Sequence, residues 1–102
     1  MNVKQTTGEI LRESREKKGL LLRQVAALLD IDTAILSKIE RGERKATKEQ
    51  ILKLADILDL KKDELLIQYL SEKIAYDLVN EDVAGKTLKV AEQKVAYLKS
   101  KK

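Results

Sequence analysis

The side chains that could do chemistry in this sequence are cationic, hydroxylic and carboxylic, because Cys and His are both absent. Disulfides, thiolate nucleophiles, imidazole bases and most transition-metal sites are thereby excluded. Carboxylates are plentiful, yet none forms a recognisable acid–base constellation, and no glycine-rich phosphate loop is present. We therefore expect no enzyme activity, no metal site and no cofactor. The remaining group lies between residues 33 and 48. Thr33, Ala34, Ser37 and Lys38 fall on one side of a short helical segment, opposite Leu36 and Ile39. Apart from Lys38 these side chains are short, and a smooth helix face of that kind can enter the DNA major groove, about 12 Å wide. The Lys38 ammonium can donate to guanine O6 and N7. Thr33 can bond a base or touch a thymine methyl, and Ala34 can only touch the methyl. Arg41, Arg44, Lys45 and Lys48 follow directly, where phosphates would pass if the helix sat in a groove. Elsewhere on a protein the same residues would be an ordinary solvated surface; their position is what matters. Bidentate base readers are scarce here, so sequence preference is expected to lean on DNA shape and on dimer spacing.

These residues need helices to hold them, and the composition supplies helices. The chain has 102 residues, 43% of them hydrophobic, with three tyrosines as the sole aromatics, no proline and four glycines. Glu, Lys, Leu and Ala lose little on entering a helix, so an all-α fold is expected with a core of Leu, Ile, Val and Ala. A first helix spans about Gly8–Lys17, opened by a Thr6–Glu9 capping box and stopped at Gly19. Ile10, Leu11 and Ser14 form its inner face. The second, about Leu22–Leu29, has Val25, Ala26, Leu28 and Leu29 as its apolar side. Small Ala26 would admit a close crossing, and Ile31 would plug the turn. Asp32 is placed to cap the third helix, whose apolar residues are Ile35, Leu36 and Ile39 and whose end is Gly42. Thr47 and Gln50 open the fourth, with its stripe at Ile51, Leu54, Ala55, Ile57 and Leu58.

A fifth helix is expected from Lys62 to about Val79, with Leu66, Leu70, Ile74 and Leu78 recurring every fourth residue. A sixth begins near Glu81 and carries Ala84, Leu88, Ala91, Val95 and Leu98 at coiled-coil spacing. Gly85 weakens its first turn, and Lys99–Lys102 are expected to be disordered. Two regions follow from this pattern: a body of residues 1–67 and a helical extension of residues 68–102.

Two short helices joined by a tight turn, the second closed by glycine, have helix-turn-helix geometry. Residues 10–66 resemble the lambda-repressor/Cro-like (XRE-type) helix-turn-helix family. The resemblance rests on Ser37-Lys38-Ile39-Glu40-Arg41-Gly42 at the end of the third helix and on Asp63-Glu64-Leu65-Leu66 at the start of the fifth. It implies a five-helix DNA-binding domain whose third helix, about 33–40, reads double-stranded DNA. Arg15 and Glu40 match a pair that in this family forms a buried ion pair. A carboxylate close to DNA needs such a partner, and the two are assigned a structural role. The family's usual Ser/Thr-Gln opening of the second helix is replaced by Leu21 and Leu22. Arg23 and Gln24 therefore stand in as phosphate contacts. Ala46 occupies a position where proline is common. The runs Leu21–Ala26 and Glu43–Thr47 further resemble regulators found beside bacterial restriction-modification genes.

The extension's stripe would either fold back or meet a second chain. A homodimer is favoured, through Leu70, Ile74 and Leu78 with Leu88, Ala91, Val95 and Leu98, edged by Tyr69, Tyr76 and Tyr97. The whole reading is a dimeric repressor on a pseudo-palindromic operator. The rival is an antitoxin-like module whose C-terminal helices bind a partner protein. The N-terminal residues lack a secretory pattern, and no apolar run reaches the roughly 18 residues a bilayer needs. No membrane association and a cytoplasmic, nucleoid-associated location are expected. The net charge of +4 is mild, and charge placement carries more information than the sum.

Overall fold

The structure, a computed structural model, describes residues 2–102. Their regular structure is helical throughout: α1 (Thr7–Lys17), α2 (Leu22–Leu29), α3 (Thr33–Glu40), α4 (Lys48–Ile57), α5 (Lys62–Leu78) and α6 (Ala84–Ser100). The all-α expectation holds. Local chemistry sets the ends. The Thr6 hydroxyl accepts from the Glu9 N–H at 3.1 Å, and the Glu9 carboxylate accepts from the Thr6 N–H at 2.9 Å. Thr47 and Gln50 repeat this box with the same distances at α4. At α2 only half a box exists: the Leu21 N–H donates to Gln24 Oε1 at 2.7 Å, and leucine has no acceptor to return. Asp32 has the extended backbone of an N-cap, but its exposed carboxylate makes no capping bond, so the first amides of α3 lack that side-chain partner.

Four helices stop in one way. Gly19, Asp30, Gly42 and Asp59 adopt positive φ of 67°, 59°, 77° and 55°. After each, an N–H reaches back across the turn, as Ile31 does to Ala26 O at 3.0 Å and Glu43 to Lys38 O at 2.9 Å. This left-handed closure satisfies carbonyls that the helix end would leave open. Glycine tolerates it freely, and aspartate is among the few other residues that do.

Leu11, Val25, Leu36, Ile51 and Leu54 are the fully buried centre, with α2 and α1 packed on α3 and α2 on α4. Leu28, expected on the inner side of the second helix, is 65% exposed; Val25, Ala26 and Leu29 are buried there, and Leu22 packs against them in part. In α5 the buried residues are Leu65, Gln68 and Tyr69, so the Leu70/Ile74 line lies off the packed face and stays exposed. Tyr69 does not edge an interface. It is buried and donates its hydroxyl to Ala46 O at 2.6 Å.

The chain divides into two compact units, Met1–Glu72 and Lys73–Lys102. The division falls inside α5, slightly beyond the 67/68 boundary expected from the sequence. Gln68, Tyr69 and Glu72 explain the shift, since all three bond back into the first unit. In the second unit α6 begins at Ala84 rather than Glu81, after a turn in which Glu81 N–H bonds Leu78 O and Ala84 N–H bonds Glu81 O. It also runs to Ser100, through part of the segment expected to be disordered, and the Ser100 hydroxyl closes back on Tyr97 O at 2.7 Å. None of its residues is buried.

Candidate nucleic-acid interface

The third helix is held rigidly from behind. Leu36 and Ile39 insert into the core, and Glu40 at its last turn is buried. Buried charge needs compensation, and Arg15 of α1 provides it: Nε reaches Glu40 Oε2 at 2.8 Å and a terminal nitrogen reaches Oε1 at 3.0 Å. The remaining guanidinium nitrogen donates to Leu20 O at 2.9 Å. This is a planar fork meeting a carboxylate with both prongs, the geometry that gives arginine pairs their strength and direction. The hydrogen bonds that Arg15 donates to Glu40 hold its pKa above the ordinary value, and outweigh the burial that opposes it. With side chains only 12% and 5% exposed, the two groups form a fixed strut between α1 and α3.

A second device brings α1 close to α3. Gly8, in the first turn of α1, lies directly against the end of α3. A Cβ there would stand 2.4 Å from Glu40 O and 2.6 Å from Ile39 O. From the sequence Gly8 marks only a helix start, and this contact becomes visible in the fold. A glycine inside an otherwise strong helix former pattern was the available signal.

With its back thus fixed, α3 presents Thr33, Ala34 and Lys38 as exposed side chains, while Ser37 is half-buried. Arg41, Arg44, Lys45 and Lys48 are all exposed and lie from the α3 C-cap through the connection to the first residue of α4. Arg23 and Gln24 are exposed near the start of α2, and the Gln24 carbonyl oxygen is occupied by the Leu21 N–H.

The pattern of ion pairs separates these cations from the rest. Arg12, Lys17, Lys18, Lys53, Lys61 and Lys62 each have an acidic partner: Glu16, Glu13, Asp59, Glu49, Glu64 and Asp56. Arg23, Lys38, Arg44, Lys45 and Lys48 have none among the described residues, and outside this group the same holds only for Lys4 in the first unit. Arg41 is intermediate: its Nε lies 3.3 Å from both Glu43 and the Ser37 carbonyl. Within the first unit, positive charge is left unpaired around α3 and, apart from Lys4, is paired with acids elsewhere. Unpaired surface cations of this kind attract anions.

The interface residues expected in the extension are distributed differently. Leu70, Ile74, Leu88, Ala91, Val95 and Leu98 are exposed, and Leu78 is half-buried. Among the described residues no helix is long and apolar enough to cross a membrane, and no cluster of acidic residues could hold a metal ion.

Two helices meeting at a tight left-handed turn, the second presenting an open face flanked by free cations, define a helix-turn-helix domain. The sequence profile of the helix-turn-helix family matches residues 11–65. The chain belongs to the XRE-type helix-turn-helix family. It is 38% identical over 52 residues, 51% of its length, to an HTH-type transcriptional regulatory protein of Thermococcus kodakarensis. It is also 34% identical over 70 residues, 66% of its length, to MAG2-interacting protein 2 of Arabidopsis thaliana. The matched stretches span 16% of the first relative and 3% of the second. Among solved structures it is similar to a chain of a SinR protein/SinI protein complex, with a TM-score of 0.54 and 24% identity over 93% of this chain and 99% of that one. This likeness shows the fold.

Proposed function

We propose that the chain is a cytoplasmic, nucleoid-associated transcription regulator that docks α3 in the major groove of double-stranded DNA. In this reading Thr33, Ala34, Ser37 and Lys38 face base edges, and Arg23, Gln24, Arg41, Arg44, Lys45 and Lys48 contact phosphates. The observation that carries it is the set of cations without acidic partners around the exposed face of α3. Two copies paired through their extensions would hold two such helices about 34 Å apart, one turn of B-DNA, over a pseudo-palindrome. Occupying a promoter in that way would block polymerase, so the proposed activity is repression.

Lys38→Ala tests the assignment. With a duplex enriched from a random pool by the wild-type protein, the substitution should cost about 1–3 kcal/mol of discrimination and relax preference at the base it reads. Binding to scrambled DNA should change far less. An unaltered preference would move base reading away from α3.

A protein partner on the extension is the second reading. It is favoured by α6, which buries no residue, and by the similar solved chain being part of a complex with another protein. Solution mass separates the two readings: a dimer mass for the isolated chain supports self-pairing, and a monomer mass favours the partner.

A further inference from the structure

We propose that Glu72, assisted by Gln68 one turn earlier, is a positioning residue for α3. The proposal rests on the reading that α3 docks in DNA. Its starting point is a hydrogen bond that joins the last residue of the first unit to the first residue of α1. Glu72 Oε1 accepts from the Thr7 N–H at 2.8 Å. The amides in the first turn of a helix have no partner within the helix, and the positive end of its dipole favours a carboxylate. Thr6 and Glu9 satisfy each other in the capping box, and the Thr7 amide is left to Glu72. Gln68 adds a second tie by donating from Nε2 to Gln5 O at 3.1 Å. The start of α1 is thus fixed by α5.

The next residue carries the connection onward. Gly8 rests on the carbonyls of Ile39 and Glu40, with no room for a Cβ. The first turn of α1 is therefore held between a carboxylate of α5 on one side and the end of α3 on the other. The remaining tie on that end of α3, the Arg15–Glu40 fork, also comes from α1. The order of reference is α5 to α1 to α3, and it ends beside Arg41, Arg44 and Lys45. Tyr69 keeps this part of α5 from drifting, through its bond to Ala46 O in the α3–α4 connection. Beyond Glu72 the helix α5 continues unbroken to Leu78. Glu72 thus ties the start of α1, and through it the end of α3, to α5.

The test compares Glu72→Ala, Glu72→Gln and Glu72→Asp in the full chain. Two quantities are read: the NMR signal of the Arg15 Nε–H, and affinity for the enriched duplex against a scrambled one. Glu72→Ala should shift the Arg15 signal in the folded protein and weaken the enriched duplex about tenfold relative to the scrambled one. Glu72→Gln keeps an acceptor oxygen at the same reach and should restore both. Glu72→Asp is milder; it keeps the charge, shortens the reach and should move the signal in the same direction as alanine. A merely stabilising role would lower the unfolding midpoint and leave the Arg15 signal of the folded protein in place. That outcome, or a Gln variant as impaired as Ala, would overturn the proposal. A wild-type chain that enriches no sequence would overturn the DNA reading instead, and the Arg15 signal would still decide the role of Glu72.

Discussion

Replacing Gly8 with alanine is expected to destabilise the fold by about 3 kcal/mol, at the upper end for an overpacked core. The added methyl would stand 2.4 Å from Glu40 O, 2.6 Å from Ile39 O and 2.8 Å from Glu40 C. All three atoms are backbone, so no rotamer change can relieve the clash. Helices α1 and α3 must separate or the start of α1 must unwind. Alanine is normally the better helix former by about 1 kcal/mol, and that gain is too small to offset the collision. Gly85 is the internal control. A Cβ there meets nothing within 4 Å, so Gly85→Ala should leave stability unchanged or raise it by up to about 1 kcal/mol. Urea unfolding of the two variants decides the matter, and equal midpoints would show that α1 and α3 have room between them.

Removing either end of the Arg15–Glu40 strut is expected to cost about 3–5 kcal/mol, because the surviving charge would stay buried without its partner. A domain of this size is stable by only about 5–15 kcal/mol, so Arg15→Ala or Glu40→Ala should bring it close to unfolding. Replacing both at once with apolar residues of similar volume, Arg15→Met with Glu40→Leu, should be less damaging than either single change. A double-mutant cycle measured by chemical denaturation reads this directly. Single substitutions that cost under about 1 kcal/mol would mean the pair behaves as a solvent-screened surface bridge. The low exposure of both side chains argues for the larger value.

Much of the fold was legible because its signals are local. Thr6 with Glu9, Thr47 with Gln50, and Gly19 and Gly42 mark helix ends through chemistry that spans only a few residues. α2 and α3 also lie where the sequence pattern places them, although neither start carries a complete side-chain cap. Long-range packing was harder. In α5 the repeating Leu66, Leu70, Ile74, Leu78 line is the strongest apolar pattern, yet the residues buried are Leu65, Gln68 and Tyr69. Periodicity identifies a stripe but not the surface it meets. Tyr69 shows the same gap: its hydroxyl finds a carbonyl 23 positions earlier in the chain. Gly8 and Glu72 were invisible as contacts for a related reason. A glycine near a helix start and an acid in a long helix have ordinary explanations until three helices are seen together. The exposed face of α3 could be read because Leu36 and Ile39 identify its opposite side; the half-burial of Ser37 could not.

The uneven neutralisation of lysines and arginines has a kinetic consequence. With most cations of the first unit paired to acids and Arg23, Lys38, Arg44, Lys45 and Lys48 unpaired, the electric field of that unit is uneven. A duplex some way off exerts a torque on it before touching, turning the correct side forward during diffusional encounter. Added salt shortens the reach of that torque to about 8 Å at physiological strength, so slower arrival should accompany weaker grip.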